Sequence, residues 1–113
     1  MDAETIREFV IVKNDVTEGF PFGEDTLVFK TNNKIFLLLS LSSSPLQFNV
    51  KCNPEKAIEL REEFPENILP GFHMNKKHWN TIIIDSKLAK KLMLEMIDDS
   101  YGLVAKKIIK PRK

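Results

Sequence analysis

The sequence predicts an α+β fold, a two-layer domain in which helices pack on an antiparallel sheet. Three observations predict it. Residues 26–51 change side-chain character with a period of two and are broken by Asn-Asn and Ser-Pro turns. Both ends of the chain instead repeat apolar residues every three or four positions. The 113 residues fit a single domain, residues 1–113, large enough to bury a core without staples.

The elements follow in order. Asp2 caps a first helix that carries Ile6, Phe9 and Val10 on one stripe and ends at Asn14-Asp15. Gly19, Pro21 and Gly23 interrupt regular structure as far as Asp25, and Phe20 and Phe22 are expected to anchor this loop to the core. Thr26–Thr31 alternates, with Leu27 and Phe29 on one face and Val28 and Lys30 on the other. Asn32-Asn33 suits a type I′ hairpin turn, because asparagine tolerates positive φ at both central positions. On the return strand Ile35, Leu37, Leu39 and Leu41 share one face, and Phe36 and Leu38 the other. Such a strand is central and covered on both sides. After the loop Ser42–Pro45, Leu46, Phe48 and Val50 alternate with Gln47, Asn49 and Lys51. This third strand has one core face and one polar face.

Asn53-Pro54 is a cap followed by proline at the first helical position, opening a middle helix that stops at Pro65. Ile68–Gly71 is a short extended piece and turn. Thr81–Ile84 is a buried, β-branched strand. Asp85 or Ser86 caps a long C-terminal helix with Leu88, Leu92, Met96, Tyr101, Val104 and Ile108 at helical spacing. The plan is an N-terminal helix, a three-strand meander, a middle helix, a further strand and a long C-terminal helix.

Composition narrows the function classes. The 42% hydrophobic and 29% charged content belongs to a folded protein. A net charge of +1 weighs against a uniformly basic nucleic-acid binder. No apolar run approaches the ~20 residues of a membrane span. The acidic start Met1–Glu4 is unlike a signal peptide, and the single Cys52 excludes an intramolecular disulfide, so a cytoplasmic location is expected.

The charge is unevenly placed. Residues 67–84 hold no acid and carry His73, Lys76, Lys77 and His78. The tail 106–113 holds five basic residues and no acid, which fits either a nucleic-acid arm or a solvated helix end. Lys76 and Lys77 can bind phosphate oxygens, with His73, Asn75 and His78 adding hydrogen bonds. Phe72 or Trp79 can stack on a base, or else Trp79 opens a buried strand with Phe72 and Met74 packed beneath it. Cys52, His73 and His78 match no zinc spacing. No phosphate loop and no nucleophile elbow is present, so no metal, cofactor or catalytic residue is assigned and no enzyme is expected.

Four stretches carry a resemblance: Phe20–Lys30, Lys51–Pro54, Pro70–Thr81 and Asp99–Val104. In this order they resemble the MmcQ/YjbR-like family. The resemblance implies a sheet similar to that of CyaY and of secretion chaperones, and DNA binding through a double wing. On that reading the hairpin loops Thr31–Lys34 and Leu41–Pro45 are the wings, and Lys34, Lys51, Lys76 and Lys77 contact phosphates in a monomer. A protein-interaction module is the alternative, with Met93, Leu94 and Leu103 supplying part of an exposed apolar patch.

Overall fold

The computed structural model describes residues 1–71, 74–85 and 87–105. Its elements are α1 (Ala3–Ile11), β1 (Val16–Gly19), β2 (Thr26–Thr31), β3 (Lys34–Ser40), β4 (Gln47–Lys51), α2 (Pro54–Glu63), β5 (Ile68–Pro70), β6 (Trp79–Ile83) and α3 (Lys90–Ala105). The strands form one antiparallel sheet in the order β1-β2-β3-β4-β6-β5. The α+β class and the three helices are those expected from the sequence. The sheet is larger by two strands. β1 extends the meander at one edge through Val16↔Thr31 and Gly19↔Val28. β5 forms the other edge against β6 through Ile68↔Ile82.

Local chemistry explains the element ends. Asp2 Oδ1 accepts the Thr5 N–H at 2.8 Å and caps α1. Asn53 Oδ1 accepts the N–H groups of Glu55 and Lys56 at the start of α2, where Pro54 needs no partner for a missing donor. Asn32 and Asn33 adopt φ of 53° and 65°, as the tight β2–β3 turn requires. The start of α3 departs from expectation. Asp85 accepts the Lys87 N–H in a separate turn, and the helix begins at Lys90. An Asp side chain that closes a local turn is no longer available to cap.

The face pattern of β3 is also corrected. Phe29 pairs with Leu37 but Lys30 pairs with Ile35, so Phe36 is an extra residue in a β-bulge. One extra residue reverses the alternation beyond it. Phe36 therefore joins Leu37 and Leu39 in the main core, while Ile35 joins Val28 and Leu38 on the opposite face. The main core lies between the sheet and the helices. Ile6 and Val10 of α1, Ala57 and Leu60 of α2, and Met93, Met96, Ile97 and Val104 of α3 meet Leu27, Phe29, Phe48, Val50 and Ile82 there. Met96 and Val104 of the expected stripe are buried, Leu92 and Tyr101 pack half-buried against the core, and Met93, Ile97 and Ser100 widen the buried face. Tyr101 meets Phe36 edge-on at 5.3 Å.

Ion pairs tie the helices down. Arg7 donates to both Glu18 oxygens at 2.8 and 2.6 Å, joining α1 to β1. Lys13 pairs with Asp98, and Lys56 with Asp99, joining the ends of α1 and α2 to α3. The Arg7 hydrogen bond holds the Glu18 carboxyl below its ordinary 4.5. The Thr5 hydrogen bonds lower Asp2, and the Asn67 side chain and Lys87 N–H lower Asp85, both from 3.8. A depressed folded-state pKa contributes stability that is present above the unfolded value and lost as pH falls through the folded one. The melting temperature is expected to fall on acidification from about pH 5 to about pH 3. Thermal melts across that window check this, and Glu18→Gln should show the smaller acid-induced drop.

Candidate functional site

Strand register decides which polar residues come together. Thr31 pairs with Lys34 across the β2–β3 turn, and Lys51 pairs with Trp79. Lys34, the end of β4 and the segment entering β6 therefore lie at one end of the sheet. Lys30 joins them, paired with Thr17 on one side and Ile35 on the other. This end gathers Lys30, Lys34, Lys51, Lys76, Lys77 and His78. His73 and Phe72, and the basic tail 106–113, lie outside the described residues.

Gly71 and Trp79 meet at a neck, and residues 74–79 are folded by local hydrogen bonds. At the neck the Gly71 N–H donates to the Trp79 carbonyl at 2.9 Å. A Cβ at Gly71 would stand 2.9 Å from the Trp79 Cβ and 3.2 Å from its backbone, so only glycine fits here. Inside the loop the Asn75 carbonyl accepts the His78 and Trp79 N–H groups. Asn75 Oδ1 accepts the Lys77 N–H at 2.9 Å. Asn75 thus shapes the loop and sets Lys76 and Lys77, both exposed, on its outer turn. The His78 carbonyl accepts the Cys52 N–H at 2.7 Å, which fastens the loop to the end of β4. Trp79 is buried with Val28 and Leu38, and Met74 packs on them. The structural reading of Trp79 holds.

The Lys51 backbone has a second anchor. Ser100 of α3 accepts the Lys51 N–H at 2.8 Å and donates to the Phe36 carbonyl at 2.5 Å. The β3–β4 ladder ends at Leu37↔Val50, beside the β2–β3 bulge, and the buried serine hydroxyl bonds the two backbone groups just beyond that end. Nothing in the sequence pattern marked Ser100 for this role.

The face of the sheet away from the helices carries Thr26, Lys30, Leu38, Ser40, Asn49, Lys51 and Thr81 by alternation. Thr81 donates to Asn49 Oδ1 at 2.6 Å. A groove of about 330 Å³ runs across this face between Phe22, Thr26, Leu38, Ser40, Asn49 and Met74. Phe20 and Phe22 do not anchor their loop in the core. They are 50% and 66% exposed. The Gly23 N–H donates to the Phe20 carbonyl in a local turn that leaves both rings outside the core.

The two hairpin loops expected to act as wings lie at opposite ends of β3, whose seven residues span about 23 Å. Successive loops of a meander must alternate ends. Only Thr31–Lys34 stands beside the lysines. Leu41–Pro45 stands at the Phe22 end, where the Leu41 N–H donates to the Asp25 carbonyl.

Met93 is buried and Leu94 half-buried, so the apolar patch expected on α3 reduces to Leu103, which is exposed. Cys52 is buried at the end of β4, and burial pushes its thiol above the ordinary range, away from nucleophilic use. Among the described residues no three His, Cys, Asp or Glu side chains gather as metal ligands. Nor is any helix there long and apolar enough to cross a membrane.

Comparison with known proteins gives consistent results. The YjbR family model matches residues 12–103. The Escherichia coli O157:H7 protein YbdF is 35% identical over 101 residues, which is 89% of this chain and 82% of that protein. The Bacillus subtilis protein YyaQ is 40% identical over 55 residues, 49% of this chain and 45% of YyaQ. Both bear the description uncharacterized. Deinococcus radiodurans protein DR2400, with the domain DUF419, superposes with a TM-score of 0.89 at 35% identity, covering 95% of this chain and 80% of that one. A Pseudomonas syringae protein superposes with a TM-score of 0.75 at 25% identity, covering 92% and 99%.

Proposed function

The chain belongs to the YjbR family, and for this member we propose that the lysine end of the sheet binds the phosphate backbone of nucleic acid without catalysing a reaction. One observation carries the reading. Register and loop closure bring Lys30, Lys34, Lys51, Lys76 and Lys77 to a single end of a protein whose net charge is only +1. A local concentration of cations attracts a polyanion even when the whole molecule is nearly neutral. Glu55, Glu59, Glu62 and Glu63 ride on α2, on the helical side of the sheet.

The groups at the lysine end favour backbone contacts over base reading. Lysine ammoniums bind phosphate oxygens, which carry no sequence information. Asn75 uses its side-chain oxygen to hold the loop. Among the described residues no helix projects from this end as a recognition element, which favours modest affinity largely independent of sequence.

The test compares wild type with the combined variant Lys51→Ala, Lys76→Ala, Lys77→Ala on a labelled duplex at low salt. Binding is expected to weaken at least about tenfold in the variant, from the lost phosphate contacts. A control variant, Lys87→Ala, Lys90→Ala, Lys91→Ala, removes the same charge around the start of α3 and should bind like wild type. Equal losses in both variants would show that only net charge matters and would refute a localised site.

A further inference from the structure

The groove on the open sheet face is chemically unlike the lysine end. Its walls combine Leu38 and Met74 with the hydroxyls of Thr26 and Ser40 and the carboxamide of Asn49. Among the described residues none of its lining groups is charged. The Phe22 ring stands at its rim, two-thirds exposed. A large aromatic side chain held in water by its own turn, beside a groove, has an unused stacking face.

These features fit a nucleobase. A base has flat apolar faces and donor and acceptor edges, and proteins hold unpaired bases by stacking them on aromatic rings over an open sheet. A duplex keeps its bases stacked inside and cannot place one in a groove of this size. A single strand can. The charge arrangement points the same way. Met74, at one end of the groove, belongs to the same loop as Lys76 and Lys77, so a phosphate beside the bound base meets ammonium groups. Beyond Phe22, at the other end, Glu24 and Asp25 are exposed and repel a continuing backbone.

We propose that the groove takes an unpaired base of single-stranded nucleic acid, stacked on Phe22, with the flanking phosphate on the lysine end. This rests on the phosphate-binding reading. The repulsion past Phe22 makes the footprint short. Thymine or uracil suits the groove as well as any base, because stacking is tolerant of sequence.

The experiment measures fluorescence anisotropy of labelled oligothymidine and of a labelled duplex of equal length. Wild type, Phe22→Ala, Phe22→Tyr and the triple lysine variant are compared. Wild type is expected to bind the single strand more tightly than the duplex. Phe22→Ala should weaken the single strand about tenfold and leave the duplex unchanged, while Phe22→Tyr restores binding. The triple lysine variant should weaken both. Phe22 is mostly exposed, so a melting temperature like that of wild type confirms that Phe22→Ala folds. Equal wild-type affinities with a neutral Phe22→Ala would overturn the base-binding proposal and leave phosphate binding standing. Absence of binding to either probe at low salt would overturn both.

Discussion

Ser100→Ala is expected to lower the melting temperature by about 10 °C or more, a loss of roughly 2–4 kcal/mol. Phe36 has no partner in the β2 register, and the β3–β4 ladder ends at Leu37↔Val50. Two backbone groups, the Phe36 carbonyl and the Lys51 N–H, then point at Ser100, which is fully buried. A hydroxyl donates and accepts at once, so one side chain satisfies both. Alanine satisfies neither, and water has no access. An unpaired buried group costs about 1–3 kcal/mol, and here there are two. Thermal or urea denaturation measures the loss. An unchanged midpoint would mean that the strands close and bond directly, and that the serine is incidental. The Lys51 backbone should also loosen, which hydrogen exchange at its amide would detect.

Gly71→Ala is the second large effect. The new methyl would overlap the Trp79 Cβ at 2.9 Å and crowd its carbonyl carbon and oxygen at 3.2 Å. None of these atoms is the movable end of a side chain. The two strands must separate at the loop neck, weakening the 2.9 Å bond from the Gly71 N–H to the Trp79 carbonyl. Forced overpacking of this kind costs about 1–3 kcal/mol. The consequence extends past stability. Lys76 and Lys77 take their position from the neck, so nucleic-acid affinity should fall in a variant that removes no charge. Trp79 is the chain's one tryptophan, and its fluorescence should report the displacement. A variant with native fluorescence, melting temperature and affinity would contradict the close-approach argument.

Local chemistry was legible in the sequence, and non-local pairing was not. Asn32-Asn33, Asp2 and Asn53-Pro54 announce a turn and two caps through their own side chains, and each forms as expected. The bulge at Phe36 leaves no such mark, because it depends on how β2 lies against β3. β1 has one half-buried aliphatic residue, Val16, and becomes a strand only by pairing with β2. β5 is three residues long and ends in proline, too short for a periodic signal. Asp85 has the right type for a cap but closes a turn instead. Phe20 and Phe22 follow composition rules only on average, and their turn holds them outside the core.

The site shows the same division. The run of Lys76 and Lys77 without neighbouring acids was visible, and so was the alternation that puts Lys30 and Lys51 opposite the core. Their convergence was not, since it needs the β4–β6 pairing that joins residues far apart in the chain. Gly71 read as an ordinary turn residue, and Ser100 stood only within the stretch Asp99–Val104. Both derive their importance from atoms contributed by other elements.

The most direct measurement is the slope of log K against log salt for nucleic acid binding, taken on wild type and on Lys51→Ala, Lys76→Ala, Lys77→Ala. If these lysines displace counterions from phosphates, the wild-type slope is steep and negative, and the variant's is shallower by about 2.7 on a duplex, or about 2.1 on a single strand. A variant slope equal to the wild-type slope would contradict the account, because the charges that bind phosphate would then lie elsewhere.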